Sequence, residues 1–204
     1  MIESGDRRPR LVLTALHVLD ELIKAERVDA TKANASYSGW ELPALVNKVT
    51  LYDIFAPEWS LAELGSAGPM AVLPHARTGD EEPYSQCDIA AFEVPASAAV
   101  SPLLLASHPP AIGEPLWLVI NAGPAIKTLS HQAVAVEQTA ETLIFQYAPK
   151  AALSTHSSGG PLLNRNSEVV GINIGGGELE GTSSDTPITR RISAVISVGL
   201  RNRI

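Results

Sequence analysis

A chain of 204 residues, 45% hydrophobic and 18% charged, carries enough apolar material for a packed core and is not a disordered polymer. Its formal net charge of −7, with Lys and Arg scattered rather than clustered, argues against a nucleic-acid binder. Cys87 is the single cysteine, so no intrachain disulfide staples the fold, and no run approaches the ~18 apolar residues of a membrane span.

Residues 4–9 read as a polar turn and 11–14 as a strand. After His17, Leu19, Leu22 and Ile23 recur at helical spacing, which predicts a short helix to about Ala25. Residues 29–41 are polar and read as a loop. Residues 46–55 alternate and are rich in Val, Leu, Ile, Tyr and Phe, so a strand is expected. A helical turn over 59–64, strands over 71–73 and 89–94, and an acidic loop at 79–83 complete the first half. Pro95, Pro102, Pro109, Pro110 and Pro115 then crowd a segment with few ladder donors, the signature of a linker. Strands are expected over 116–121, 133–137, 142–147, 161–163 and 169–174, with Asn164-Arg165-Asn166-Ser167 as a hairpin turn. Ile192, Val195, Ile196 and Leu200 fall on a helical stripe, which predicts a closing helix. The division that follows is 1–98 and 99–204.

The chemistry concentrates in STHSSGGPLL, from Ser154 to Leu163. Gly159 and Gly160 would each cost roughly 0.5–1 kcal/mol relative to alanine inside a regular element. They suit a sharp turn, and a serine presented on such a turn is a candidate nucleophile. His17 ends an apolar strand-like run, and Asp88 opens a second one. Of the known chain orders of the Ser-His-Asp arrangement, His then Asp then Ser belongs to chymotrypsin-like double barrels.

At these three segments the chain resembles the trypsin-like (chymotrypsin-fold) serine peptidases, in their disulfide-poor bacterial form. The T-A-x-H motif appears as Thr14-Ala15-Leu16-His17, and the D-I-A-L-like motif as Asp88-Ile89-Ala90-Ala91. The G-x-S-G-G-P motif appears as His156-Ser157-Ser158-Gly159-Gly160-Pro161, with the first glycine replaced. The following strand appears as Val169-Val170-Gly171-Ile172. The resemblance runs from about Leu11 to the last residues. It implies an all-β fold of two packed antiparallel six-stranded β-barrels and a C-terminal helix; with sixteen residues before His17, either the first barrel lacks N-terminal strands, or the chain is a fragment, or its start lies upstream.

The resemblance also implies roles. His17 would be the general base, Asp88 its orienting carboxylate and Ser158 the nucleophile, with the backbone N–H groups of Ser158 and His156 as the oxyanion hole. A non-glycine residue at His156 is the sharpest departure from the family, since positive φ is uncommon outside glycine. Ser157 stands where zymogens of the family keep an aspartate, so activation through a freed amino terminus is not expected. Ala152 would floor the specificity pocket, which disfavours Arg or Lys and favours a small or medium apolar side chain. Asn173 and Gly176 would line its wall, and Ile174, Gly175 and Gly176 would pair with substrate as an added strand. The expected activity is a serine endopeptidase acting on polypeptides through an acyl-enzyme. The alternative is a catalytically inactive homologue serving as a protein-binding module.

Several other readings fall away. His75, His108 and His131 lack ligand spacing, so no metal or cofactor is expected. The Gly175-Gly176-Gly177 run has no accompanying phosphate-loop pattern. An α/β-hydrolase would need a glycine two residues before the serine and another triad order. Nucleic acid and membrane are not expected partners, and nothing indicates an oligomeric state. Met1 is followed by Glu, Ser, Gly and Asp only after Ile2, not by a signal peptide. A cytoplasmic location is the expectation for the chain as given, and export if a leader lies upstream.

Overall fold

The computed structural model describes residues 2–3, 10–25, 41–53, 62–72, 88–120, 129–138, 142–147, 157–179 and 188–195. The turn at 4–9, the loops over 29–40 and 79–83, and Cys87 lie outside them. The chain divides into two compact units, Met1–Leu104 and Leu105–Arg203. None of the described helices is long and apolar enough to cross a membrane.

In the first unit, five strands form one sheet in the order β5-β6-β2-β1-β7. These are β1 (Ile2–Glu3), β2 (Arg10–Ala15), β5 (Met70–Val72), β6 (Ile89–Val94) and β7 (Leu103–Leu104). β3 (Val49–Asp53) and β4 (Ala62–Ala67) pair separately. The apolar run of β6 is buried at five of its six positions, which suits a strand covered on both faces. Helix α1 (Leu16–Ala25) follows β2 without a break and buries Leu16, Leu19 and Ile23 on one side, the spacing that the sequence predicts. Leu42 of the short α2 (Leu42–Leu45), Met70 and Phe92 join them in the core. Arg10 ties the segment after β6 to the sheet, its guanidinium donating to the carbonyls of Pro95 and Val100.

The second unit is a closed barrel in the order β10-β13-β12-β11-β8-β9. Its strands are β8 (Pro115–Ile120), β9 (Leu129–Gln138), β10 (Thr142–Tyr147), β11 (Pro161–Leu163), β12 (Val169–Leu179) and β13 (Ile188–Val195). Alternation sets the facing: Leu116, Leu118 and Ile120 of β8 and Leu143, Phe145 and Tyr147 of β10 fill the core, as a period of two requires. Burying one such side chain is worth ~1.5–3 kcal/mol. The turn between β11 and β12 closes on Asn164, whose Oδ1 accepts from the backbone N–H of Asn166 and Glu168 at 2.9 and 3.0 Å. Ser167 there takes φ 61°.

Three sequence expectations are corrected. Among the described residues the first unit is a five-stranded sheet with a separate two-stranded pair rather than a closed six-stranded barrel. The helical turn over 59–64 gives way to β4, which already holds Leu64 and pairs with β3 from Ala62; residues 59–61 are not described. The closing-helix stripe fails at Ile192 and Val195, which lie in β13. That strand pairs with β12 along one edge and β10 along the other, so ladder bonding on both sides overrides a coincidental helical spacing. Ile196 and Leu200 lie outside the described residues.

Candidate active site

β2 and β6 run antiparallel with Thr14 opposite Ala90 and Ala15 opposite Ile89. The register therefore brings the residue after Ala15 beside the residue before Ile89. Leu16 N donates to Asp88 O at 3.3 Å, and α1 begins at that point. A helix starting after alanine has no capping side chain of its own. The Asp88 carboxylate supplies it, since the His17 backbone N–H donates to Oδ1 at 2.8 Å. The other oxygen, Oδ2, lies 2.6 Å from His17 Nδ1. One carboxylate thus holds both the main chain and the ring of His17. The His17 side chain keeps 19% of its surface exposed, against 1% for Asp88.

Burial pushes the Asp88 carboxyl above its ordinary value of 3.8, against the opposing pull of the His17 ring and of the His17 and Leu16 backbone N–H groups. The folded chain therefore binds this proton more tightly than the unfolded chain does. Its contribution to stability is complete below pH 3.8 and drains away as the pH rises through the raised value. In paired urea titrations across the acid range, the stability gap between the parent and Asp88→Asn should move in favour of the variant as pH increases. A gap moving the other way would mean that pairing outweighs desolvation.

Ser158 belongs to the second unit, on the turn that leads into β11. Gly159 has φ 82°, the left-handed region that glycine enters without a Cβ penalty. A Cβ on Gly160 would come 2.9 Å from Val119 O and 3.0 Å from Ser157 O, so the turn packs directly on β8. Gly160 N donates to Ser157 O at 3.1 Å. Asn173 of β12 meets the same turn with its backbone, accepting from Gly159 N at 2.7 Å and donating to Gly160 O at 2.9 Å. Its side chain adds Nδ2 donating to Ser157 Oγ at 3.0 Å. Asn173 is fully buried, and among the described residues its Oδ1 has no hydrogen-bond partner.

Of the residues singled out in the sequence, the structure brings His17 and Asp88 together in the first unit. Ser158, Asn173, Ile174, Gly175 and Gly176 lie in the second. His156 and Ala152 lie outside the described residues. Ile174 is buried, and Gly175 and Gly176 pair with Ile192 and Arg191 of β13. Sequence reasoning missed two links: the capping of α1 by Asp88 and the bond from Asn173 to Ser157. The first left a trace, because α1 starts without a capping residue; the second left none, since nothing local ties Asn173 to the turn at Ser157.

The sequence matches the trypsin-like peptidase domain model over residues 2–172, and the chain belongs to that family. Among solved structures, mouse neuropsin, a serine protease, is 18% identical with a TM-score of 0.55, the match covering 92% of this chain and 80% of that one. A Glu endopeptidase is 14% identical with a TM-score of 0.51, over 95% of this chain and 79% of that one. At such identities the likeness concerns the fold. No curated protein matches the sequence.

Proposed function

We propose that the chain is a serine endopeptidase in which His17, Asp88 and Ser158 form the catalytic triad. The observation that carries this reading is the contact between Asp88 Oδ2 and His17 Nδ1 at 2.6 Å, in a member of the trypsin-like peptidase family. A carboxylate at Nδ1 keeps the ring proton there and leaves the Nε2 lone pair for use as a base. A serine hydroxyl needs such a base at neutral pH.

Ser158 Oγ attacks the scissile carbonyl carbon while its proton passes to His17 Nε2, and the carbonyl π pair moves onto oxygen. Backbone N–H groups of Ser158 and His156 receive that oxyanion. Collapse breaks the C–N bond; the amine leaves with the proton from Nε2, and the acyl group stays on Ser158. Water then attacks the ester and gives its proton to Nε2. Collapse expels the serine oxygen, which is reprotonated, and the acid is released.

The polypeptide substrate would lie along β12 beyond Asn173. There Gly175 and Gly176 pair with β13 on one side, and no strand pairs along the opposite edge among the described residues. That edge suits an extended peptide. Ala152 and Asn173 would shape a pocket for a small or medium apolar side chain.

A fluorophosphonate probe tests the reading. Stoichiometric labelling of the parent, lost in Ser158→Ala and in His17→Ala, is the expected result. A folded parent that takes up no label would make the chain a binding module instead.

A further inference from the structure

We propose that Asn173 is a positioning residue whose side-chain amide latches the turn that presents Ser158, a role that rests on Ser158 being the nucleophile. Three bonds run from this one residue to the turn: its carbonyl accepts from Gly159 N, its N–H donates to Gly160 O, and Nδ2 donates to Ser157 Oγ. The first two belong to the main chain, and any residue would make them. The third depends on the side chain. It fixes Ser157, which is 3% exposed, and so sets the peptide plane that joins Ser157 to Ser158 and carries the Ser158 N–H.

Packing alone does not call for an amide at this position. Asn173 interrupts a buried apolar series of Val169, Val170, Ile172 and Ile174, where a valine would fit without bringing polar atoms inside. Its Oδ1 is buried without a partner among the described residues. A half-satisfied buried amide is less stable than an apolar group of the same shape. A residue held at that disadvantage beside the turn points to a requirement of the site rather than of the core, and the bond to Ser157 directs it to the turn.

The double variant Asn173→Val/Ser157→Ala separates this role from a structural one, because it removes the donor and the acceptor of this one bond together. Its thermal unfolding should stay cooperative, whereas its rate of fluorophosphonate labelling should fall about tenfold, the size of a typical coupling between contacting residues. Each single variant should lose a similar factor, and the double no more than the worse single. Amide hydrogen exchange should accelerate at Gly159 and Gly160 in all three, with Leu118 and Val170 unchanged. Parental labelling rates in the variants, or losses that multiply in the double, overturn the latch. If Asn173→Val does not fold, Ser157→Ala decides by the same labelling and exchange readings. An inert parent would refute the peptidase reading alone, and exchange then decides the latch: acceleration at the turn sustains it, and unchanged exchange ends it.

Discussion

Ser158→Ala is expected to lower peptide-bond turnover on the order of 10⁶-fold with little change in the stability of the barrel. The variant loses one oxygen and keeps the Cβ. Ser158 sits half-buried on the turn, and surface changes of that kind stay within about 0.5 kcal/mol. His17 and Asp88 keep their contacts in the first unit, so the proposed base remains but has no hydroxyl to activate. What survives is catalysis by binding and by the backbone N–H donors, which is ~10³–10⁴-fold over water in a triad enzyme. Turnover of a denatured-protein substrate, measured beside a thermal unfolding curve, reads both quantities. A loss smaller than roughly a hundredfold would remove Ser158 from the nucleophile's role, because it matches general acid–base effects rather than loss of a covalent step.

Asp88→Asn should lower turnover by about 10⁴-fold without dismantling the helix that follows β2. The reason lies in the two bonds made by the carboxylate. His17 N–H donates to Oδ1, so the amide oxygen of the variant must occupy that position. The amide nitrogen is then turned toward His17 Nδ1, where Oδ2 had been. A donor facing Nδ1 forces that ring nitrogen to accept, and the ring proton moves to Nε2. The base is then blocked at the atom that would receive the serine proton. Helix capping survives, so circular dichroism should be unchanged while turnover collapses. An Asp88→Asn variant retaining more than about a tenth of parental turnover would contradict the tautomer argument, given the size of the effect expected.

Much of the second unit was legible in the sequence because its strands alternate cleanly. Leu116, Leu118 and Ile120 face the core at a period of two, and the Asn164 turn announces the β11–β12 hairpin. β4 was not legible, since Ala62–Ala67 is small and polar in composition and is a strand through its pairing with β3. β13 misled for a related reason: Ile192 and Val195 fit a helix as well as a strand, and only distant neighbours decide. The candidate site divides in the same way. Motif chemistry pointed to His17, Asp88 and Ser158, but the Asp88 cap on α1 and the Asn173–Ser157 bond are contacts between residues 71 and 16 apart in sequence. Local pattern carries no record of them.

The closing of the barrel by β13 has a bearing on how the protein is made. Ile188–Val195 is the last strand of the six to be translated, yet it bonds to both β10 and β12. Until it leaves the ribosome, those two strands show open edges to any neighbour able to pair. Polypeptides released by a stall or a nonsense codon upstream of Ile188 are therefore expected to collect in inclusion bodies.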